Sequence, residues 1–285
     1  MEIISQPTIR CLCDKKYCET IVSYRSPPNG EVQFDIGHNE YYREYLSCRM
    51  CNHLFGNHRL NLSDLYKGNY VDATYGGSSG MMKRLNMVLN LPDDKSDNIG
   101  RVKRIENFFK DHNHGFPLTL LDIGAGIGVF PAVMKKHGWN VTAIEPDIRT
   151  SVFLRNEIGI NALDKDFLLL SQSDLGKFSL ITFNKVLEHL EDPVLFLSHA
   201  GQFLHENGIC YFEVPDIKAS EESFLREEFF IEHHHIFSIS SCEKIADRSG
   251  FRILRVERII EPSGKFTIFA FLIRSNNTYI LENEN

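Results

Sequence analysis

Short apolar runs alternate with helical patterns through the second half of the sequence. Four runs have the length and apolar character of buried strands, at residues 118–123, 141–144, 178–183 and 209–214. Apolar residues at helical spacing fill the intervals, at residues 127–137, 148–157 and 194–204. A strand–helix–strand repeat brings successive strands into one parallel sheet with helices on its faces. The alternation therefore predicts an α/β fold.

The sequence on either side of this repeat predicts further elements. Helices at residues 81–90 and 99–111 precede the first strand, and a helix at 241–249 leads into a hairpin of strands at 251–259 and 266–273. We predict four parts: a Cys-rich module over residues 1–75, a helical linker over 76–117, an α/β domain over 118–275 and a flexible tail over 276–285.

The composition excludes several classes of protein. Of 285 residues, 42% are hydrophobic and 24% are charged, which is typical of a globular chain and not of a disordered one. No apolar run approaches the ~20 residues that span a bilayer, and the first residues lack the basic and apolar regions of a signal peptide. A formal net charge of −7 disfavours nucleic acid as a partner. We expect a cytoplasmic protein that binds neither nucleic acid nor a membrane.

A glycine-rich turn follows the first strand of the repeat. Gly124, Gly126 and Gly128 come directly after Asp122 and Ile123, so the backbone can turn tightly and approach a ligand. The dinucleotide fingerprint requires glycine at position 129, where this chain has valine, and Asp122 would repel a pyrophosphate. These two features disfavour a nicotinamide-dependent dehydrogenase.

Two acidic residues indicate which chemical groups a ligand bound at this turn should carry. Asp122 suits a ligand that carries an ammonium group and a positive charge. Glu145 ends the next strand, 23 residues beyond Asp122, where a carboxylate can accept both hydroxyls of an unphosphorylated ribose. The sequence therefore predicts a nucleoside ligand without a phosphate.

Residues 120–147 resemble motif I and the following acidic position of class I S-adenosylmethionine-dependent methyltransferases. Asp166-Phe167 and the segment from Phe183 to Pro193 resemble later motifs of that family, in the same order. The resemblance covers residues 118–273 and implies a Rossmann-like, doubly wound sheet of seven strands with an antiparallel last strand. It also implies that S-adenosylmethionine contacts the matching residues: Asp122, Gly124, Gly126, Glu145, Asp166, Phe167 and Asn184.

Five of the seven cysteines lie within the first 51 residues. Cys48 and Cys51 have the spacing with which two thiolates bind one tetrahedral ion, whereas Cys11 and Cys13 are one residue closer. We predict that these four cysteines hold a structural Zn²⁺, with Cys18 and His53 as alternative ligands. We expect His53 and His58 to be ordinary surface or turn residues. The module resembles the Cys-rich N-terminal region of methyltransferases that modify nucleotide-linked sugars and polysaccharide precursors.

A Glu-His pair follows the strand at residues 209–214 and so lies beyond the sheet edge where ligands bind. Glu232-His233 with Phe237-Ser238 resembles the Glu-His…Phe-Ser segment of sugar methyltransferases, in which the pair assists deprotonation of the acceptor. Those enzymes often have tyrosine where this chain has Phe230. His233, His234 and His235 could bind a metal, but adjacent residues point apart, which disfavours one shared ion.

His189 is the third candidate catalytic residue, and the alternative is that it merely precedes a helix capped by Asp192. We expect an S-adenosylmethionine-dependent methyltransferase whose acceptor is a small molecule, with a sugar or nucleotide-linked precursor favoured. A phenol, a quinone precursor or a peptide is the alternative acceptor. A zinc-ribbon adaptor that binds the cofactor without turnover is the non-enzymatic alternative. Methylation of oxygen, nitrogen or carbon stays open.

Overall fold

The computed structural model describes residues 11–13, 17–31, 40–58, 60, 78–112 and 117–277. The strands in these residues are β1 Cys18–Tyr24, β2 Arg43–Cys48, β3 Leu54–His58, β4 Thr119–Ile123, β5 Asn140–Ile144, β6 Asn161–Leu163, β7 Phe178–Asn184, β8 Leu204–Pro215, β9 His235–Ile236, β10 Phe251–Ile260 and β11 Phe266–Arg274. The α-helices are α1 Ser78–Leu89, α2 Asp97–His112, α3 Val129–Lys136, α4 Ile148–Phe153, α5 Gln172–Leu175, α6 Pro193–Ala200 and α7 Ile239–Arg248.

The larger sheet has seven strands in the order β6-β5-β4-β7-β8-β11-β10. The pairs from β6 to β8 are parallel, whereas β11 is antiparallel to both β8 and β10. The predicted fold class is therefore confirmed, including the antiparallel last strand and the terminal hairpin. The parallel strands are buried on both faces, which explains why they read as continuous apolar runs.

Alternate residues of the central strands pack into two separate cores. Leu121 and Ile181 face a core closed by α6 and α7, whereas Leu120 and Leu180 face a core closed by α2 and α3. Successive side chains of a strand point to opposite faces, so one strand supplies both cores. This arrangement places the carboxyl ends of β4, β5, β7 and β8 at one open edge.

Some predicted elements differ from the structure at their ends. The helix predicted over residues 148–157 is α4 followed by a π-helical turn, Leu154–Ile158, which ends at Gly159 in the left-handed conformation. The helix predicted over 194–204 is α6 followed by a 3₁₀ turn at Gly201–Phe203. Strand β6 was not predicted, because a run of three residues has no clear alternation.

The smaller sheet joins both ends of the chain, in the order β1-β2-β3-β9. Its first three strands come from the Cys-rich segment. Its fourth, β9, pairs Ile236 with Leu54 and His235 with Phe55, and it begins two residues after His233. The Cys-rich segment is therefore bound directly to the Glu-His region of the α/β domain.

The proposed boundary at residue 75 and most of the proposed tail lie outside the described residues, and the four-part division stays a prediction. Within the described part of the chain, no helix is both long enough and apolar enough to cross a bilayer.

Candidate functional site

A cleft of about 1060 Å³ opens at the carboxyl ends of the parallel strands. Ligand sites of α/β sheets lie at this edge, and their volumes reach ~1000 Å³. Every residue that the sequence analysis assigned to cofactor or catalysis lines this one cleft: Asp122, Gly124, Gly126, Glu145, Asp166, Phe167, Asn184, His189, Glu232 and His233.

The glycine turn forms one wall of the cleft. Gly124, Gly126 and Gly128 all have positive φ, at 71°, 52° and 79°, which favours glycine at each position. A Cβ atom on Gly124 would also lie 2.6 Å from Val186 Cγ2, so no larger residue fits there. The backbone can therefore approach a ligand closely between β4 and α3.

Asp122 lies at the base of this turn and is 2% exposed. Its Oδ1 accepts hydrogen bonds from Thr182 Oγ1 at 2.6 Å and Asn184 Nδ2 at 2.8 Å. Burial raises the pKa of Asp122 to about 7, and the hydrogen bond from Thr182 opposes this rise. Such a carboxylate suits a cationic group of a ligand, because a positive charge would favour its ionised form.

Glu145 occupies the next strand end. The Gly126 backbone N–H donates to Glu145 Oε2 at 2.9 Å, so the carboxylate is held against the glycine turn. Burial raises the pKa of Glu145 to about 7, and the hydrogen bond from Gly126 opposes the rise. This contact brings two predicted cofactor residues together.

Asp166 and Phe167 also line the cleft. Asp166 is exposed and caps a 3₁₀ turn, with its Oδ1 accepting from the Leu168 N–H at 2.9 Å. Phe167 is 3% exposed and packs against Phe183 and Phe203, so it is a core residue as well as a cleft residue. Asp166 thus has a local structural role besides the one predicted for it.

Two imidazoles also line the cleft. His189 Nδ1 lies 2.9 Å from the backbone oxygen of Glu232, and His233 Nδ1 lies 2.9 Å from that of Glu228. A carbonyl oxygen can only accept, so both rings carry their proton on Nδ1 and a lone pair on Nε2. Burial lowers the pKa of His189 to about 4 and that of His233 well below its ordinary value. Both rings are therefore neutral bases at physiological pH.

Glu188 is a cleft residue that the sequence analysis missed. It is 1% exposed, and neither of its carboxylate oxygens has a hydrogen-bond partner in another described residue. Burial raises its pKa to about 7, opposed by the positive charge of Lys185. A carboxylate oxygen of Glu188 and one ring nitrogen each of His189 and His233 lie within 4.8 Å of one another. The sequence held a signal for it, since Glu-His occurs twice, at 188–189 and 232–233.

Glu232 lines the same region of the cleft. Burial raises its pKa to about 7, and the nearby carboxylate of Glu31 adds to that rise. Its backbone oxygen holds His189, as described above. Asp192 caps α6, with Pro193 at the first helical position, so the segment after His189 does lead into a capped helix, as the alternative proposed. His189 nevertheless lines the cleft.

The four cysteines predicted as metal ligands form one cluster. Their Sγ atoms all lie within 4.8 Å of one another, with Cys13 at 3.2 Å from Cys11 and 3.1 Å from Cys48. Tetrahedral Zn–S bonds of ~2.3 Å place sulfur atoms about 3.8 Å apart, so the cluster fits one such ion after small shifts. Cys18 packs beside the cluster but is not one of the four.

The expectation that His53 and His58 are ordinary surface or turn residues is wrong for His53. His53 is fully buried, with Nε2 at 2.9 Å from His235 Nδ1, because β3 and β9 pair edge to edge. His58 is partly buried and stacks on His234. The three successive histidines therefore contact different partners, as predicted, with His233 facing the cleft.

Comparisons with known sequences match this chain to methyltransferases. Residues 88–256 match the family described as a methyltransferase domain, which is more than half of the chain. The ubiquinone biosynthesis O-methyltransferase of Rickettsia typhi is 26% identical over 155 residues, covering 52% of this chain and 56% of that protein. That of Caulobacter vibrioides is 35% identical over 101 residues, covering 33% of this chain and 39% of that protein. The chain thus spans about half the length of these curated relatives.

Solved structures share the fold. The magnesium protoporphyrin IX methyltransferase of Synechocystis PCC 6803, with bound S-adenosylhomocysteine, has a TM-score of 0.55 at 14% identity and covers 73% of this chain and 100% of that chain. The 1,6-didemethyltoxoflavin-N1-methyltransferase of Burkholderia thailandensis has a TM-score of 0.54 at 14% identity and covers 82% and 96%. At these identities the likeness extends to the fold alone.

Proposed function

The chain belongs to the methyltransferase-domain family, and from this premise we propose that it transfers the methyl group of S-adenosylmethionine to a small-molecule acceptor. One observation supports the proposal most. Two imidazoles whose Nδ1 atoms are bound by backbone carbonyls line the same cleft as the glycine turn and Glu145. A cofactor wall and a pair of neutral bases thus share one cavity.

The chain's residues fit the parts of the cofactor. The sulfonium of S-adenosylmethionine supplies an electrophilic methyl group, so the protein needs to bind, orient and deprotonate. Glu145 would accept the ribose hydroxyls, and the glycine turn would lie against the methionine portion. Asp122, supported by Asn184, would face the ammonium group. Asp166 and Phe167 would flank the adenine.

Deprotonation of the acceptor is assigned to the histidine side of the cleft. An acceptor hydroxyl or acidic C–H would give its proton to the Nε2 lone pair of His233 as the methyl group moves in line to the acceptor atom. His189 would either bind the acceptor or serve as a second imidazole that can take up its proton. Glu232, whose backbone oxygen holds His189, would support the pair.

A sugar or nucleotide-linked sugar is the acceptor class that we favour. It is supported by the Glu-His…Phe-Ser segment and the Cys-rich module, which both resemble sugar methyltransferases. The names of the curated relatives, which are ubiquinone biosynthesis O-methyltransferases, favour a second class, a quinone precursor that is methylated on oxygen. Both classes present hydroxyl groups to the two imidazoles.

Zinc is proposed as a structural ion on Cys11, Cys13, Cys48 and Cys51. Four thiolates fill a tetrahedral coordination sphere and leave no position for a reacting water. The ion would hold the two cysteine pairs together against α7, where Arg248 Nη1 donates to the Leu12 backbone oxygen at 2.6 Å. Its role would be to support the fold beside the cleft.

Two measurements test this function. Calorimetry with S-adenosylhomocysteine compares the wild-type chain with Glu145→Gln, and we expect binding that the variant weakens by at least tenfold. Methyl transfer is then measured with labelled S-adenosylmethionine on UDP-glucose, dTDP-glucose and 3,4-dihydroxybenzoate as probes of the two acceptor classes. Cofactor binding without transfer to any of these probes would favour the adaptor alternative. An absence of cofactor binding would overturn the proposal.

A further inference from the structure

The segment that carries Glu232 and His233 is a tight turn held from outside the α/β domain. The His233 N–H donates to the Phe230 backbone oxygen at 2.9 Å and closes residues 230–233, called here the Glu-His turn. The next residue, His234, donates its N–H to the Glu188 backbone oxygen at 2.7 Å. The turn is thus joined on one side to the 3₁₀ turn Leu187–His189 after β7, which carries the other Glu-His pair.

Tyr45 of β2 holds the other side of the turn. Its hydroxyl lies 2.6 Å from the His233 backbone oxygen and 3.2 Å from that of Phe230, the two ends of the turn. The side chain is 1% exposed, and its ring packs edge-on against Phe229. One hydroxyl from the Cys-rich segment therefore contacts both ends of the turn that carries the proposed base.

A buried ion pair holds the middle of the turn. Glu31 Oε2 accepts from Arg43 Nη2 at 2.6 Å and from the Ile231 backbone N–H at 2.8 Å. Both charged side chains are almost fully buried, and the Arg43 guanidinium lies 3.9 Å from the centre of the Tyr24 ring. A buried charge pair needs such additional hydrogen bonds to be stable, and here the turn itself supplies one of them.

We propose that Tyr45, with Glu31 beside it, is a positioning residue for the His233 imidazole. The direction of that ring depends on its backbone and on the contact from Nδ1 to the Glu228 oxygen. Rotation of the turn would lengthen that contact and release the Nδ1 proton for exchange with Nε2. The Cys-rich segment thereby determines which nitrogen of His233 is the base. The catalytic meaning of this inference rests on the proposed function, whereas the structural part does not.

The test compares two tyrosine variants of the full chain. Tyr45→Phe removes only the hydroxyl that holds the turn. Tyr24→Phe is the matched control, because Tyr24 is also buried in the same sheet and donates to a backbone oxygen, that of Phe224, at 2.6 Å. Hydrogen exchange by mass spectrometry follows residues 230–234, with β7 as the internal reference. Nitrogen-15 spectra follow the two ring nitrogens of His233, assigned by their loss in His233→Asn.

We expect residues 230–234 to exchange about tenfold faster in Tyr45→Phe, as the loss of one buried hydrogen bond predicts, with β7 unchanged. The His233 spectrum should move from a single Nδ1–H tautomer toward a mixture in Tyr45→Phe and stay unchanged in Tyr24→Phe. Unchanged exchange and an unchanged tautomer in Tyr45→Phe would overturn the inference, as would equal effects of the two variants. Neither hydrogen exchange nor the nitrogen-15 spectra require an acceptor, so they test this inference even if no methyl transfer is detected.

Discussion

The Nδ1 atom of His189 lies 2.9 Å from the backbone oxygen of Glu232, so a side-chain hydrogen bond joins the segment after β7 to the turn before β9. His233 makes the equivalent contact with the backbone oxygen of Glu228. Each contact fixes the proton on Nδ1 and leaves Nε2 as the basic nitrogen. Main-chain atoms thus determine the chemistry of two side chains that share one cleft.

Replacement of His233 should remove the base while the fold stays intact. We expect His233→Asn to lower kcat by about 10²–10⁴-fold, the usual contribution of a positioned general base. KM should change little, because the amide still fits the cleft. Steady-state kinetics on whichever probe acceptor is methylated measures both constants.

His234→Asn is the control for that variant. The neighbouring ring is also buried, but it stacks on His58 and does not line the cleft. Its kcat should stay within about threefold of the wild-type value, since no proton transfer passes through it. Equal losses in both variants would show that the turn tolerates no change at all and would remove the specific role of His233.

Cofactor binding should weaken as the pH falls through 7. Burial raises the pKa of Glu145 to about 7, so near neutral pH the carboxylate is only partly ionised before the ligand binds. Ribose hydroxyls donate to the ionised form, so binding lowers this pKa and releases a proton. For one such group, the affinity for S-adenosylhomocysteine should be about tenfold weaker at pH 6 than at pH 8.

Calorimetry at pH 6 and 8 in buffers of different ionisation enthalpy measures both the affinity and the released proton. Glu145→Gln cannot ionise and should lose this part of the pH dependence. Any dependence that remains in the variant is then assigned to Asp122, whose pKa is also raised to about 7. Equal affinity of the wild-type chain at both pH values would contradict the assignment of Glu145 to the ribose.

The α/β domain was largely predictable because its signals are local. Apolar strands, helical spacing and positive-φ glycines depend on neighbours in sequence, and Gly124, Gly126 and Gly128 adopt the conformations that their residue type favours. Strand ends also converge at one edge by topology alone. For that reason Asp122 and Glu145 could be predicted from the sequence to share one cleft, whereas Asn184 was expected there only from the family resemblance.

The contacts between the two sheets were not predictable, because they depend on pairing between distant segments. His53 appeared to be a surface residue, yet β9 buries it against His235, which lies 182 positions away. A strand of two residues has no periodicity of its own and exists only through its partner. The same holds for Glu188, because the packing of the cleft leaves its carboxylate oxygens without a hydrogen-bond partner among the residues that the structure describes.

Glu188 should destabilise the fold at high pH. Its folded-state pKa of about 7 lies above its ordinary value of 4.5, so the protonated form is favoured in the fold. Stability from this group is complete below pH 4.5 and is lost as the pH rises to 7. At pH 8 the free energy of unfolding of Glu188→Gln should therefore exceed that of the wild-type chain by ~3 kcal/mol, since each pKa unit is worth about 1.4 kcal/mol. Urea unfolding measures this as a higher midpoint for the variant.

The two proteins should be nearly equally stable at about pH 3.5, because there Glu188 is protonated in the folded protein and almost fully protonated in the unfolded chain, whose ordinary pKa is 4.5. Glu227→Gln is the surface control, because Glu227 is exposed and pairs with Lys265 at 3.2 Å. Its urea midpoint should change little at either pH. A Glu188→Gln variant that is less stable at pH 8 would mean that the carboxylate has a stabilising partner in the folded protein.

Metal content should separate the four clustered cysteines from the fifth. Cys48 is a fully buried member of the cluster, and its backbone N–H donates to the His53 oxygen at 2.9 Å, so Cys48→Ser replaces one sulfur with little change of shape. We expect about one zinc ion per chain in the wild-type protein and in Cys18→Ser, and almost none in Cys48→Ser. Elemental analysis after dialysis measures the zinc content of each protein. The midpoint temperature of thermal unfolding should fall only in Cys48→Ser. Loss of zinc in Cys18→Ser with retention in Cys48→Ser would assign the site to a different set of ligands, because a tetrahedral ion held by Cys11, Cys13, Cys48 and Cys51 has no need of the fifth thiol.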